Sequence, residues 1–314
     1  MRARRSCMSV PGSSERFLAK AAGVPADQIF FDLEDSVAPK EKAAARQKVI
    51  DAVNGSDFVA PTLVVRINGV YTDWCYRDII TIAEAIGAKI DCLMIPKVEY
   101  PSDVVFVDKL LTQIEGTIGL EKKIGLEVQI ESALGLQNIN EIARASSRIE
   151  DLIFGPADMS ASLGLPTVTA GAPIPGYEDL DHFHYVLTHI NIAARANNLQ
   201  SIDGPFLLIR DLDAFRKAAM RAKALGFDGK WALHPDQVTV LNEVFTPTQD
   251  EYDKAECLLE YYQQATEVEG KGAVMFGKEM IDEASRKMAE VTVARGRAAG
   301  LGREKKVEDF LAEG

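Results

Sequence analysis

The stretch FFDLEDSVAPKEKAAAR, residues 30–46, changes within a few positions from an apolar run to a group of acids, a proline and an Ala- and Lys-rich segment. The apolar start predicts a buried strand, and the segment after Pro39 predicts a helix. Glu34 and Asp35 stand where that strand ends, and clustered carboxylates repel one another unless a cation neutralises them. We therefore expect an arginine, a lysine or a metal ion beside them.

The same strand-then-helix unit recurs along the chain. Short β-type runs are predicted at 6–10, 28–33, 62–68, 92–95, 124–130, 151–154, 201–203 and 229–233, with helical segments between most of them. This alternation indicates parallel βαβ units, and eight of them in about 235 residues match the size of a (β/α)8 TIM barrel. An open doubly wound sheet is the alternative, but no glycine-rich phosphate fingerprint follows an early strand.

The alternation stops after Phe245. Two further helical runs, at about 248–269 and 281–298, flank a glycine-containing loop, and the tail from Gly300 is highly charged. The sequence therefore predicts a catalytic barrel domain at 1–246 and a C-terminal helical lid or oligomerisation segment at 247–314.

The composition excludes several functional classes. The chain has 314 residues and a formal charge of −12, which argues against nucleic acid as a partner but permits anionic small molecules in a local basic pocket. The four scattered cysteines are typical of reduced thiols in a cytoplasmic protein, and no apolar run suits a membrane span. The basic start, MRARRS, is predicted to be a solvated leader, because it lacks the apolar core of a signal peptide.

Nearly every predicted strand ends in a residue that can do chemistry. Active sites of (β/α)8 barrels lie at the carboxyl ends of the strands, so we expect these side chains to converge on one face. They are Glu34, Asp35, Arg66, Asn68, Lys97, Glu131, Asp158, Asp203 and His234.

Glu131 and Asp158 follow the fifth and sixth predicted strands and are 27 positions apart, which is one strand-plus-helix unit. In a barrel that spacing places them at neighbouring strand ends. Two carboxylates completed by water and substrate oxygens suit Mg²⁺, with Mn²⁺ as a substitute, whereas no His and Cys cluster has zinc spacing. The structural alternative for Asp158 is a helix N-cap.

Two basic residues lie at predicted strand ends. Arg66 interrupts an apolar strand and needs an anionic partner, which is either Glu34 or Asp35, a substrate carboxylate or a developing oxyanion. Lys97 has two interpretations. It forms a Schiff base with a carbonyl substrate, or it makes an ion pair with Glu99 or Glu127.

Several of these motifs together resemble the citrate lyase β-subunit-like (HpcH/HpaI aldolase/citrate lyase) family, and within it the L-malyl-CoA/β-methylmalyl-CoA lyases. The resemblance extends over about residues 9–294 and rests on FFDLEDSVAP, VVRINGV, LMIPKVE, LEVQIESALG, FGPADMSASLG, SIDGPF, GKWALHPDQV and NEVFTPT. It implies a (β/α)8 barrel whose lid packs across a neighbouring subunit of a homotrimer or homohexamer. It also implies Mg²⁺ as cofactor and coenzyme A thioesters as substrates.

The resemblance also implies roles for particular residues. Glu131 and Asp158 match the metal ligands, and Arg66 matches the substrate arginine. Glu34 and Asp35 match acids that hold metal-bound water and that arginine. The lid aspartate that reaches the next subunit's active site matches Asp282. Contacts with substrate and coenzyme A are implied for Arg16, Lys20, Lys97, Ala157, Asp158, Leu233 and His234.

The implied reaction is reversible cleavage of malyl-CoA or β-methylmalyl-CoA to glyoxylate and acetyl-CoA or propionyl-CoA. Open alternatives are a citramalyl-CoA lyase that yields pyruvate, a malyl-CoA thioesterase, and a non-catalytic subunit that presents an acyl chain. The segment 165–185 is shorter than its counterpart in the malyl-CoA lyases and bears on the keto-acid pocket.

Overall fold

The computed structural model of the protein describes residues 2–167, 169, 174, 176, 177, 181–268 and 270–311. The chain divides into two compact units, Met1–Phe245 and Thr246–Gly314, and each has an apolar core of its own.

Eight parallel strands close a barrel in the first unit. Each strand pairs with the next in chain order, and the last pairs with the first, so the predicted (β/α)8 barrel is confirmed and the open sheet is wrong. The strands are β1 (Ser6–Pro11), β2 (Gln28–Asp32), β3 (Thr62–Arg66), β4 (Cys92–Ile95), β5 (Gly125–Ile130), β6 (Ile149–Phe154), β7 (Gln200–Asp203) and β8 (Gly229–Ala232).

Helices follow the strands. They are α1 (Glu15–Ala21), α2 (Lys42–Gly55, after a 3-10 turn at Pro39–Glu41), α3 (Cys75–Ile86), α4 (Pro101–Ile118), α5 (Ala133–Gln137), α6 (Ile139–Ile142), α7 (Pro156–Ser162), α8 (His184–Ala196), α9 (Leu212–Ala224) and α10 (Pro235–Phe245). The segment between β5 and β6 forms two short helices, α5 and α6, instead of one. Asn138 ends α5 and begins α6, and its side-chain amide donates to the Glu99 carbonyl at 2.8 Å.

Both faces of each strand are buried, which explains why the strands read as continuous apolar runs. In β2, Phe30 belongs to the cluster inside the barrel, whereas Phe31 packs in the larger core that also includes helix residues. The ring of Phe30 lies 4.4 Å from that of Trp231, between centroids. Because side chains alternate along a strand, Asp32 shares its face with Phe30 and points inward at the barrel mouth.

Arg4 lies inside the other end of the barrel, so the predicted solvated leader is wrong at this residue. Its side chain is among the largest fully buried ones in the described residues, with 2% of the residue exposed. The guanidinium lies 3.1 Å from Glu127, 2.7 Å from Glu150 and 3.0 Å from Asp151. Burial raises the pKa of both Glu127 and Asp151. Composition could not reveal this, because the partner acids are more than a hundred positions away in sequence.

The second unit contains α11 (Gln249–Glu267), the antiparallel hairpin β9 (Val274–Phe276) and β10 (Glu279–Ile281), α12 (Glu283–Ala298) and α13 (Val307–Leu311). The hairpin lies where the sequence predicted only a loop, and Gly277 supplies a left-handed turn with φ of 58°. None of the helices in the described residues combines the length and the apolarity that crossing a bilayer requires. All four cysteines are buried free thiols.

Candidate active site at the barrel mouth

Arg66 and Asp32 face each other at the ends of neighbouring strands. Arg66 Nε lies 2.7 Å from Asp32 Oδ1, and Nη2 lies 2.7 Å from Oδ2. Glu34 adds a contact at 3.1 Å and Asp35 one at 3.8 Å. The expected partners of Arg66 are therefore present, but sequence reasoning missed Asp32, the main one. Burial alone would raise the pKa of Asp32, but the Arg66 guanidinium outweighs burial and holds this pKa below its usual range.

Lys97 lies among three carboxylates of the mouth. Its ammonium nitrogen is 2.5 Å from Glu34, 3.2 Å from Asp35 and 3.6 Å from Asp158. Burial lowers the pKa of Lys97, but the adjacent carboxylates outweigh burial and raise it above the usual value. The side chain is consequently a charged ammonium.

This environment argues against both interpretations of Lys97. A Schiff-base lysine needs a lowered pKa so that the neutral amine can attack, and Lys97 has the opposite shift. The expected ion pair with Glu99 or Glu127 is also wrong, since Glu127 lies at the other end of β5, where it pairs with Arg4. Lys97 instead binds acids of the mouth.

Glu131 and Asp158 stand after β5 and β6, which are neighbours in the barrel. Glu131 is 2% exposed, and its two oxygens accept hydrogen bonds from the Lys97 backbone N–H and from Gln129 Nε2, both at 2.7 Å. Burial, together with the Asp158 carboxylate, raises the pKa of Glu131 to about 8. Asp158 lies inside the first turn of α7, whose N-cap is Gly155, so the N-cap alternative for Asp158 is wrong.

Gly155 allows Glu131 to occupy its place. A Cβ at position 155 would lie 2.4 Å from both Cβ and Oε2 of Glu131, closer than real contacts allow. It would also lie 2.9 Å from Nε2 of Gln129. The side chain of Glu131 therefore packs directly on the bare backbone that connects β6 with α7.

Lys42 also borders the site, and sequence reasoning missed it. Its ammonium donates to the carbonyls of Leu33 and Glu34 at 3.1 and 3.0 Å. A lysine in an Ala-rich helix looks like an ordinary surface residue. The available signal was its place in the first helical turn, where a positive charge is unfavourable.

The residues at the mouth fit a divalent cation. Five carboxylates (Asp32, Glu34, Asp35, Glu131 and Asp158) surround three cationic groups (Arg66, Lys97 and Lys42), which leaves a deficit of two positive charges when all are ionised. The Lys97 ammonium lies near the Asp158 carboxylate, so these oxygens already attract one positive charge in the absence of a metal ion.

Two further observations bear on that fit. In the described part of the chain, the buried Oε1 of Gln129 has no hydrogen-bond partner, so an unmet acceptor lies next to Glu131. The described residues contain no group of three or more His, Cys, Asp or Glu that forms a complete protein cage. Mg²⁺ does not need one, because it binds through one or two carboxylates and keeps several waters.

The expected coenzyme A residues follow three strands on the same face of the barrel. Arg16 and Lys20 lie exposed on α1, after β1; Leu233 and His234 are half-buried after β8, which neighbours β1; and Ala157 is exposed on α7, after β6. Their contact with a ligand stays a prediction.

Not all of the polar strand ends belong to the site. Asn68 donates to Asp78 at 2.6 Å, and Asp203 accepts from the buried Lys230 at 2.6 Å, so both serve the fold. Asp282 lies in the second unit, where its Oδ1 caps α12. Much of the segment 165–185 lies outside the described residues, namely 168, 170–173, 175 and 178–180.

A closed barrel with chemically active side chains at the carboxyl ends of its strands is the arrangement of a (β/α)8-barrel enzyme. The family model of the HpcH/HpaI aldolase/citrate lyases matches residues 5–235. The chain belongs to this family.

Named relatives and a solved structure agree with this assignment. The chain is 41% identical over 291 residues to the L-malyl-CoA/β-methylmalyl-CoA lyase of Cereibacter sphaeroides, covering 90% of this chain and 91% of that one. It is 32% identical to a (3S)-malyl-CoA thioesterase of the same species, covering 94% and 95%. The structure of CitE from Mycobacterium tuberculosis with magnesium, acetoacetate and coenzyme A superimposes with a TM-score of 0.72 at 26% identity, covering 93% and 97%.

Proposed function

We propose that the protein is a Mg²⁺-dependent carbon–carbon lyase that reversibly cleaves malyl-CoA or β-methylmalyl-CoA to glyoxylate and acetyl-CoA or propionyl-CoA. The observation that carries the proposal is that Glu131 and Asp158 follow neighbouring strands of the barrel. Lys97 contacts both of them, Glu131 through its backbone N–H and Asp158 through its ammonium. The 41% identity to a malyl-CoA/β-methylmalyl-CoA lyase over nine-tenths of the chain supports the substrate class.

Glu131 and Asp158 hold the Mg²⁺. When bound, Mg²⁺ supplies Lewis-acid polarisation of the carboxylate and hydroxyl oxygens of the substrate. The hydrogen bonds to both oxygens of Glu131 fix the direction in which that carboxylate faces. Lys97 binds the acids around it and keeps them oriented toward the mouth.

Arg66 stabilises the charge that develops in the cleavage. The hydroxyl of the substrate passes its proton to water, and its oxygen becomes the carbonyl of the keto acid as the carbon–carbon bond breaks. The electron pair of that bond moves into the thioester as an enolate. A guanidinium held rigidly at the enolate oxygen stabilises that charge without having to reorganise. Asp32, Glu34 and Asp35 bind Arg66 from the barrel side and supply that rigidity.

Asp282 of a neighbouring subunit protonates the enolate carbon in the cleavage direction and removes that proton in the condensation direction. The helix cap occupies Oδ1 of Asp282, and we assign the proton transfer to Oδ2. The protein accordingly works as a homotrimer or homohexamer in the cytoplasm. Arg16, Lys20, Ala157, Leu233 and His234 bind the coenzyme A portion, consistent with their place on the face of the mouth.

The second candidate function is hydrolysis of malyl-CoA to malate. A specific observation favours keeping it, because a malyl-CoA thioesterase is 32% identical over almost the whole chain. Hydrolysis would use the same site, but water would attack the thioester carbonyl and coenzyme A would leave, with no carbon–carbon bond broken, so the residues named above do not separate the two reactions. The products do.

The decisive experiment is a cleavage assay on malyl-CoA, β-methylmalyl-CoA and citramalyl-CoA, with Mg²⁺ and with EDTA, in which keto acid and free hydroxy acid are both measured. A keto acid that appears only with Mg²⁺ supports the lyase and identifies its substrate, whether the product is glyoxylate or pyruvate. Keto acid that persists in EDTA contradicts the metal role, and borohydride trapping then tests Lys97. Free malate alone identifies a thioesterase, and no turnover with any thioester favours a non-catalytic subunit.

A further inference from the structure

Lys42 breaks two local rules of protein structure. It is the first residue of α2, where the helix dipole disfavours a positive charge, and that helix has no acid in its first turn. It is also buried, with 7% of its surface exposed, and desolvation lowers its pKa. Violations of this kind are tolerated where the surrounding structure compensates, and they cluster at functional sites.

The compensation comes from the segment before α2. The acid loop, defined here as residues 33–36, turns two carbonyl oxygens toward the Lys42 ammonium, that of Leu33 at 3.1 Å and that of Glu34 at 3.0 Å. The ring of Trp74 lies 5.2 Å from the same nitrogen and adds a cation–π contact. The three contacts take the place of the water that burial removes.

The opposite side of the acid loop is held by Asp32. Its two carboxylate oxygens accept hydrogen bonds from the backbone N–H groups of Glu34 at 2.8 Å and Ser36 at 3.0 Å. The backbone of Glu34 is thus fixed at its N–H by Asp32 and at its carbonyl by Lys42. Its carboxylate has little freedom left when it meets Arg66 and Lys97.

We propose that Lys42 is a positioning residue of the active site. It acts through the backbone of Glu34 and holds the Glu34 carboxylate between Arg66, at 3.1 Å, and Lys97, at 2.5 Å. The Lys42 ammonium already binds two backbone carbonyls and lies over the Trp74 ring, so we assign it no contact with substrate. The expected effect of Lys42 on turnover rests on the proposed lyase activity, in which Arg66 must be held in place at the enolate oxygen.

The test compares three variants with the wild-type protein. Lys42→Met keeps the length and the buried stem but removes the ammonium, and Lys42→Arg keeps a cation that can bind carbonyls. Lys122→Met is the matched control. The Lys122 ammonium binds the Ile90 carbonyl at 3.1 Å and Asp91 at 2.8 Å, just before β4 at the other end of the barrel.

We expect Lys42→Met to lower kcat by about 10- to 100-fold, the usual range for residues that orient catalytic groups indirectly. KM at saturating Mg²⁺ and the dissociation constant of Mn²⁺, measured by calorimetry or electron paramagnetic resonance, stay near the wild-type values. The reason is that Glu131 and Asp158 make no contact with Lys42. Lys42→Arg recovers most of kcat, and Lys122→Met leaves kcat and Mn²⁺ binding unchanged.

A purely structural role gives a different pattern. Thermal unfolding would shift to lower temperature in both Met variants, while kcat per folded enzyme stayed at the wild-type value, and this result overturns the inference. If Lys42→Met does not fold, Lys42→Gln carries the same expectation, because its shorter neutral side chain loses the charge and the reach.

Wild type and Glu131→Gln, a variant that alters one of the two proposed metal ligands, are assayed in parallel. Absence of Mg²⁺-dependent cleavage in wild type rejects the proposed function, whereas normal cleavage with an unaffected Lys42 variant rejects only this inference.

Discussion

Arg66 and Asp32 form a bidentate ion pair in which both nitrogen–oxygen distances are 2.7 Å. The strand register places the two residues opposite each other at the ends of β3 and β2, and both are buried. The Trp231 ring lies 5.3 Å from the guanidinium carbon. Because a bidentate fork fixes the plane of the guanidinium, the pair gives Arg66 a single orientation at the mouth.

The first prediction concerns this orientation. Arg66→Lys keeps the charge but loses the planar fork, so the cation no longer stays at the enolate oxygen. We expect kcat to fall by about 10²- to 10³-fold, the usual cost of removing one oxyanion donor. Steady-state kinetics measures it. Arg46→Lys is the control, since Arg46 pairs with Asp78 outside the mouth at 2.6 Å. Equal kcat in Arg66→Lys and wild type would remove Arg66 from the mechanism.

The second prediction concerns Gly155. A methyl group at this position would meet Glu131 at 2.4 Å, so Gly155→Ala must displace the carboxylate or the backbone that leads to Asp158. We expect the dissociation constant of Mn²⁺, measured by titration calorimetry, to rise by about 10-fold or more. Gly116→Ala is the control. It lies within α4 with nothing close to its Cβ position, and it should raise stability by about 1 kcal/mol without changing metal binding. Unchanged Mn²⁺ binding in Gly155→Ala would show that Glu131 does not have to pack on the bare backbone of residue 155 in order to bind the cation.

The third prediction is a pH dependence that follows from Glu131. In the metal-free protein its pKa is raised from the usual 4.5 to about 8, so between these values the folded protein holds a proton that the unfolded chain has lost. This group's contribution to stability therefore decreases as pH rises through that window. Cation binding needs the ionised carboxylate and releases the proton, so affinity rises with pH and levels off above about pH 8.

Calorimetry in buffers of different ionisation enthalpy checks this prediction, because it counts the protons released with each Mn²⁺ bound. We expect about one proton at pH 7 and almost none above pH 9. A proton count that does not change across this range would mean that Glu131 is already ionised, or that the cation binds elsewhere.

Sequence patterns were sufficient for the barrel because they report local regularities. The period of strands and helices, and the polar residues at strand ends, located Arg66, Lys97, Glu131 and Asp158 on one face before any contact was known. Pairing is a different matter, since it depends on which residues a closed sheet brings together. The Asp32 partner of Arg66 was hidden in an apolar run.

The same reason explains the errors. Lys97 was paired with acids near it in sequence or on the next strand, although its partners Glu34 and Asp35 lie more than sixty positions away. Sequence analysis did not single out Lys42, because a lysine in a helical pattern is predicted to face solvent. Only the structure shows that residues 33 and 34 cover its ammonium. Each of these residues became interpretable only from distances.

The last prediction concerns Arg4, the buried arginine at the other end of the barrel. Removing it leaves Glu127 and Asp151 without their cation in a site from which water is excluded. Breaking a buried ion pair on one side costs about 3–5 kcal/mol, so we expect Arg4→Met to lower the free energy of unfolding by about that amount. Denaturant titration measures the change.

Two comparisons make the Arg4 prediction specific. Arg216→Met removes an exposed pair with Glu243, 2.5 Å apart, and should change stability by about 0.5 kcal/mol or less. Burial already raises the pKa of both Glu127 and Asp151, so in Arg4→Met these carboxyls take up protons more easily as pH falls. The loss of stability should therefore be smaller at pH 5 than at pH 8. Because the mouth lies at the opposite end of the strands, Mn²⁺ binding by the folded variant should equal that of wild type. A loss no larger than that of Arg216→Met would mean that water reaches the acids inside the barrel.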